Sequence, residues 1–273
     1  MTICTPSAFL YKTPEASSAV VDEVLYGTEV EVIDTINEYY RITTDYGYKG
    51  WINRQSVCET LSSTNATVDV LFCDLLKAPD YSLAPTMTLP LGARVLAGVP
   101  HEVPQRAMIA LPDKRMFFTH INSLVFDNEL CGASCKSCKA PCGFKVRAAK
   151  KVTRDSLCDN AMRYLGVQYR WGGKTPGGID CSGLTFMAYA LSGVTIWRDS
   201  DPDRSECMKR IPLSEAQRGD LLYFDHHVAM YLGGDRFIHA SAKEGRVVCG
   251  NISEHKAMFE HLITATTYKD ITE

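Results

Sequence analysis

Two stretches of the N-terminal half repeat one another, and this duplication limits the fold more than any single motif. Lys12 and Pro14 match Lys77 and Pro79 sixty-five positions on, and Gly27 and Val30 match Gly92 and Val95 at the same offset. Ile42 then matches Ile109 and Trp51 matches Phe118, now at sixty-seven, a drift that a two-residue loop insertion explains. Two copies at so long a period exclude a solenoid and fit one small domain present twice. Each copy reads as short strands. Val30–Ile33 and Tyr40–Thr43 alternate, Tyr48–Ile52 is aromatic and follows a Tyr46-Gly47 turn, and Gly and Pro punctuate the gaps. Several such strands in so short a span make a small β-barrel.

The pattern changes near Lys150. Val152, Leu157, Ala161, Met162 and Leu165 approximate one helical face, and Leu184, Met187, Ala188 and Leu191 form another over Cys181–Leu191. Strands follow at Asp220–Phe224, His227–Leu232 and Arg236–His239. Helices first and an antiparallel run of strands after them give an α+β domain. Between the halves, Cys131, Cys135, Cys138 and Cys142 fall in a Gly-, Ser-, Lys- and Pro-bearing loop. Four soft ligands fit a zinc site, but a zinc ribbon sets two pairs well apart. A disulfide knot and free thiols fit equally. The boundaries expected are 1–60 and 61–130 for the two barrels, 131–150 for the Cys-rich linker and 151–273 for the last domain.

Chemistry concentrates in Tyr169-Arg-Trp-Gly-Gly173 and Gly178-Ile-Asp-Cys-Ser-Gly183. Glycines crowd the approach to Cys181, and Asp180 reads as the N-cap of the helix that begins there. In the first turn, free backbone N–H groups and the helix dipole favour an anion, which lowers a thiol pKa and makes the thiolate nucleophile available. The same N–H groups would stabilise an oxyanion on an attacked carbonyl. Most helix-start cysteines are small buried residues; what distinguishes Cys181 is the histidines downstream. His227 shares a strand face with Ala229 and Tyr231, opposite the core face of Val228, Met230 and Leu232. His226 would point the other way. A Gly233-Gly234-Asp235 turn pairs this strand with the one carrying His239, on the side of Phe237. Cys181, His227 and His239 thereby fit nucleophile, base and orienting group, while His239 read alone fits a hydrogen-bonded strand histidine equally well.

The motifs together resemble a known family. Tyr169-x-Trp-Gly-Gly173, Asp180-Cys-Ser-Gly183, Gly219–Phe224, His227–Gly233 and Phe237–Ser241 are similar in order and spacing to an NlpC/P60 domain over residues 151 to 251. Val24–Val32 followed by Gly50-Trp-Ile52 resembles a bacterial SH3 (SH3b) domain. The second copy, Leu89–Val95, is more degenerate, with Phe117-Phe118 where the Gly-Trp pair would stand. The resemblance implies an α+β, papain-like peptidase domain behind two all-β SH3b barrels. It implies His227 rather than His226 as base, His239 as the third residue and Tyr169 beside the nucleophile. Asp180, Ser182, Asp199 and Ser200 would line the substrate pocket. Relatives of this architecture cut the bond between γ-D-glutamate and the diamino acid of peptidoglycan stem peptides, through a thioester and without cofactor or metal. In some, the SH3b domain closes the cleft on a free N-terminal L-alanine, a role for which Tyr48 and Glu23 are the residues to examine. A wall-peptide binding protein and an amidase or acyltransferase on the same scaffold are the rival readings.

Composition bounds the rest. With a net charge of −3 and no long basic run, nucleic acid is not an expected partner; peptidoglycan or muropeptide is. No stretch reaches the ~18 apolar residues of a membrane span, and a monomer is expected. Met1–Ser7 has neither the positive n-region nor the apolar h-region of a secretory signal. Eleven cysteines leave the compartment open between cytosolic recycling and export by a route the sequence does not show.

Overall fold

The computed structural model describes residues 1–59, 64–100, 102–103, 105–127, 145–147 and 152–271. The four-cysteine loop lies outside the described residues. The chain divides into two compact units, Met1–Ala149 and Lys150–Glu273.

In the N-terminal unit, short strands recur in the same order twice. The first series is β1 (Thr2–Ile3), β2 (Ser7–Tyr11), β3 (Val20–Leu25), β4 (Val30–Ile36), β5 (Tyr39–Thr44), β6 (Lys49–Asn53) and β7 (Val57–Cys58). The second is β8 (Ala66–Val68), β9 (Phe72–Leu75), β10 (Met87–Pro90), β11 (Arg94–Gly98), β12 (Arg106–Ala110), β13 (Met116–His120) and β14 (Leu124–Asp127), with β15 (Lys145–Arg147) added parallel to β14. Correspondence reaches local detail. Gly27 and Gly92 both take positive φ, +79° and +89°, at the turn before the fourth strand of each series, a conformation a Cβ disfavours. Tyr11 bridges Trp51 as Leu76 bridges Phe118. The turn after β6 is capped by the Asn53 side chain accepting from Gln55 N–H, and that after β13 by His120 accepting from Asn122 N–H.

Each series has its own core, Ile3, Leu10, Val24, Ile42 and Ile52 in one and Val68, Leu75, Leu89, Val95 and Ile109 in the other. Tyr26 joins the second core, its carbonyl accepts from Arg94 N–H at 2.9 Å, and Arg94 pairs with Asp45. Strand alternation explains the outward Glu31 and inward Val30.

In the C-terminal unit, helices α1 (Arg154–Met162) and α2 (Cys181–Ala190) precede a six-stranded sheet. A short ribbon, β16 (Lys174–Thr175) and β17 (Gly178–Ile179), leads into α2. The sheet strands are β18 (Met208–Ile211), β19 (Leu221–Phe224), β20 (His227–Gly233), β21 (Arg236–Ser241), β22 (Arg246–Asn251) and β23 (Thr264–Tyr268), ordered β18-β23-β19-β20-β21-β22 with all pairings antiparallel. Thr153 and Ser156 close α1 in a reciprocal capping box. The helix is shorter than the apolar stripe suggests, because Arg163–Leu165 continue as turns. Helix α2 packs on β20 and β21. Arg154 ties α1 to the sheet through Asp220, 2.8 Å away and 1% exposed.

One expectation changes here. Val228, Met230 and Leu232 are buried as a core face, but Ala229 on the opposite face is fully buried too. Residues 252–262, including α3 (Lys256–Phe259), supply Ile252, Met258, Phe259 and Leu262 against Ala229, Phe237 and Leu222. Both faces of the sheet are therefore covered, so that strict alternation in β20 gives way to a buried run.

Candidate active site

Asp180 is the N-cap of α2, with its Oδ1 accepting from Gly183 N–H at 2.6 Å and its Oδ2 from Gly172 N–H at 2.7 Å. Cys181 follows as the first helical residue, 8% exposed. The glycines beside it are there for contact. A Cβ on Gly183 would meet the Gly173 carbonyl oxygen at 2.2 Å, and one on Gly173 would meet the Gly178 carbonyl at 2.3 Å. Ribbon and helix start approach so closely that no side chain fits between them.

Backbone N–H groups of Ser182 and Val228 point at the Cys181 sulfur. Val228 immediately follows His227 in β20, so the thiol lies beside the head of that strand. His227 Nε2 and His239 Nδ1 are 2.8 Å apart, brought together by the β20–β21 hairpin. The expected turn at Gly233-Gly234 is present, with both glycines at positive φ. His226 stands in the turn between β19 and β20, its side chain 94% exposed and 3.4 Å from the Asp225 carboxylate.

Electrostatics correct the expectation of a lowered thiol pKa. Burial first, and the neighbouring Asp180 carboxylate second, push Cys181 up to about 11, against the lowering by the two N–H groups and Arg198. The helix start supplies the expected donors, but desolvation outweighs them. Burial also lowers His227 to about 4, and burial together with His227 and His255 lowers His239 to about 3. Both shifts favour the neutral forms, thiol and imidazole.

Tyr169 bridges Ile179 and donates its N–H to Gly245 O at 2.7 Å. Its phenol is pushed up to about 12 by burial, then by Cys181 and Asp180, and stays a donor at neutral pH. Ser182 is buried, and its Oγ accepts from Arg198 Nη1 at 2.8 Å. Asp199 is exposed and Ser200 half-buried in the loop after α2, next to Arg198. Tyr48 and Glu23 belong to the N-terminal unit. Tyr48 packs half-buried on the first core, and Glu23, on β3 and buried, accepts from Ser7 Oγ at 2.6 Å. Among the described residues no group of three or more His, Cys, Asp or Glu is placed to hold a metal ion.

Arg198 is the residue whose role sequence reading missed. It is 1% exposed, donating to both Asp180 oxygens at 3.0 and 3.1 Å, to Ser182 Oγ and to Gly173 O at 3.3 Å. An arginine buried this completely needs partners, and here they are the residues flanking Cys181 on both sides. Its one sequence signal was its place before Asp199 and Ser200.

The helix-start cysteine and the strand-borne histidine pair thus both lie at the head of β20. The profile of the NlpC/P60 family matches residues 166–266, and that of the bacterial SH3 domain matches residues 6–57. Dipeptidyl-peptidase 6 of Lysinibacillus sphaericus is 30% identical over 95% of this chain and 94% of its own length. The gamma-D-glutamyl-L-lysine dipeptidyl-peptidase of Bacillus subtilis (strain 168) is 34% identical over 107 residues, 36% of each chain. An NlpC/P60 family protein of Bacillus cereus ATCC 10987 has the same fold, with a TM-score of 0.80 at 20% identity over 98% of both chains. The chain belongs to the NlpC/P60 family of peptidases and carries a bacterial SH3 domain at its N-terminal end.

Proposed function

We propose that this protein is a peptidoglycan endopeptidase that hydrolyses the γ-D-glutamyl–diamino acid bond of stem peptides or muropeptide fragments through a Cys181–His227–His239 thiol mechanism. The observation that carries the reading is the His227–His239 contact of 2.8 Å at the head of the strand whose Val228 N–H faces the Cys181 sulfur. With His227 Nε2–H donating to His239 Nδ1, His227 Nδ1 is left as the proton acceptor. Cys181 gives its proton to that nitrogen as sulfur attacks the amide carbonyl. The tetrahedral oxyanion takes a hydrogen bond from the Tyr169 phenol. Imidazolium His227 then protonates the leaving amine, the C–N bond breaks, and a thioester remains. Water, deprotonated by neutral His227, cleaves the thioester and restores the thiol.

Asp180, Ser182, Asp199 and Ser200 line the acyl side of the bond in this reading. The substrate class follows the names of the Lysinibacillus and Bacillus relatives. The scaffold is papain-like, and the second strand series of the N-terminal unit is a diverged second SH3b copy. That reading is supported by the strand order and the two matching caps.

Digestion of purified muropeptides followed by mass spectrometry tests the proposal. Release of a fragment ending in γ-D-glutamate by wild type, lost in Cys181→Ala, is the expected result. A free sugar–lactyl product would make it an amidase. Absence of any cleavage under reducing conditions would leave wall-peptide binding as the function.

A further inference from the structure

Two cysteines outside the candidate active site stand at the ends of one short ribbon. Strands β1 and β7, the first and last of the first series, pair antiparallel, with Thr2 opposite Cys58 and Ile3 opposite Val57. The Cys4 N–H donates to Ser56 O at 2.9 Å, which carries the register one step further. Thr2, Cys4, Ser56 and Cys58 therefore share one face of the ribbon, with the two cysteines on its diagonal. Their thiols are in hydrogen-bond contact. Cys73, Cys158, Cys207 and Cys249 meet Thr119 Oγ1, Tyr231 O, Thr195 O and the Met162 sulfur instead.

A disulfide needs its Cβ atoms ~4 Å apart, closer than a diagonal pair in mid-ribbon usually comes. The ends of this ribbon supply the movement, because Cys4 follows β1 and Cys58 is the last residue of β7. Both cysteines are half-buried, so a small oxidant has access. Burial first, and Cys4 second, push the Cys58 thiol up to about 12. Cys58 is thus a poor thiolate near neutral pH, and the first attack falls to Cys4. The Tyr26 phenol, raised by burial and then by Cys58 and Cys4, lies beside the pair. Tyr26 belongs to the second core, so the thiols meet where the two strand series adjoin.

We propose that Cys4 and Cys58 form a redox-active dithiol that a small-molecule disulfide, such as glutathione disulfide, closes. The Cys4 thiolate attacks one sulfur of the oxidant and expels a glutathione thiolate. Cys58, losing its proton, attacks the Cys4 sulfur of the mixed disulfide and expels the second. The two protein thiols are oxidised to one disulfide, the oxidant is reduced to two glutathione thiols, and both protons end on them. The link ties the first strand of the series to the last and closes residues 4 to 58 into one loop. A loop that long strongly restricts the unfolded chain.

The test exposes native full-length protein to glutathione disulfide, blocks remaining thiols by alkylation and maps peptides after digestion with trypsin and a Glu-specific protease. Residues 1–12 and 55–59 are cut out, each with a single cysteine. Eleven cysteines leave each thiol ten partners, so the cross-link between these peptides is expected to be about tenfold more abundant than in protein oxidised in urea. In Cys58→Ser, Cys4 is expected to hold glutathione. In a Trp171→Phe/Trp197→Phe background only Trp51 reports, and oxidation is expected to raise the urea midpoint by about 1 M, but not when Cys4→Ser is added. A native yield no higher than that in urea, or a midpoint that rises equally in Cys4→Ser, overturns the proposal.

Discussion

Replacing Arg198 by methionine removes a buried cation and nothing of the cleft surface, because the side chain is 1% exposed. Asp180 keeps its two backbone donors, Gly172 and Gly183, but loses its counter-charge at 3.0 Å. Breaking a buried pair from one side costs ~3–5 kcal/mol, most of it the penalty of the charge left behind. The surviving N–H donors place this site at the lower end, about 3 kcal/mol. Urea unfolding followed by tryptophan fluorescence measures it. In a Trp51→Phe background only Trp171 and Trp197, both in the C-terminal unit, report. Asp180→Asn in the same background takes the counter-charge from Arg198 and costs a similar amount. The double variant has no buried charge, and the amide that replaces the carboxylate retains an acceptor for the helix cap. It is therefore expected to recover about 2 kcal/mol relative to the sum of the singles. Arg198 also lowers the Cys181 thiol, so Arg198→Met slows alkylation by iodoacetamide at pH 8. Additivity within ~0.5 kcal/mol, with an unchanged alkylation rate, would refute the idea that this pair organises the nucleophile.

Three further outcomes are expected, the first of them a pH dependence set by His227. The kcat/KM profile has its acid limb near pH 4, where His227 protonates, and stays flat through 6.5, since burial holds the imidazole neutral; a limb at 6.5 would place His227 in solvent. The same shift acts on stability. An unfolded histidine takes its proton near 6.5 while folded His227 does so near 4, so its contribution is full above 6.5 and is lost as pH falls toward 4, readable as a falling urea midpoint. Gly183→Ala drives a Cβ into the Gly173 carbonyl at 2.2 Å and is expected to cost ~1–3 kcal/mol, the range of overpacking; an unchanged urea midpoint refutes the close contact. Tyr169→Phe keeps the ring and loses the donor, so kcat on muropeptides is expected to drop ~10²-fold or more, as for an oxyanion-hole donor, with KM nearly unchanged.

What the sequence made legible is what depends on local rules. The turn at Gly233-Gly234 specified a hairpin, and the hairpin set His227 beside His239. The Asp180 cap and the start of α2 at Cys181 followed from side-chain chemistry one to three residues apart. The repeated strand order was readable because glycine at a positive-φ turn and apolar residues recur at matched offsets. Illegible were the features made by distant segments meeting. Arg198 lies 18 residues beyond Asp180, in a loop whose path no periodicity encodes. The covering of the second sheet face by residues 252–262 is likewise invisible in β20 itself.

The thiol shows how the two kinds of information combine. Local rules give Cys181 its donors, the N–H of Ser182 in its own helix and the helix start as a whole, and would by themselves make a ready thiolate. Tertiary packing then buries it and answers the adjacent Asp180 carboxylate with Arg198. The outcome is a thiol pushed up to about 11 and a His227 imidazole lowered to about 4. In the proposed mechanism neither group ionises alone near neutral pH, so the proton would move as sulfur attacks and the charge that forms would be met by the phenol of Tyr169. A pair poised in this way resists adventitious alkylation while free and gains reactivity only against a carbonyl held in the site. On that reasoning, iodoacetamide should label Cys181 slowly below pH 9, and a peptide carrying an electrophile at the scissile carbonyl should label it fast. Rapid, complete alkylation at pH 6 would mean instead that the thiolate–imidazolium form already dominates in the free protein.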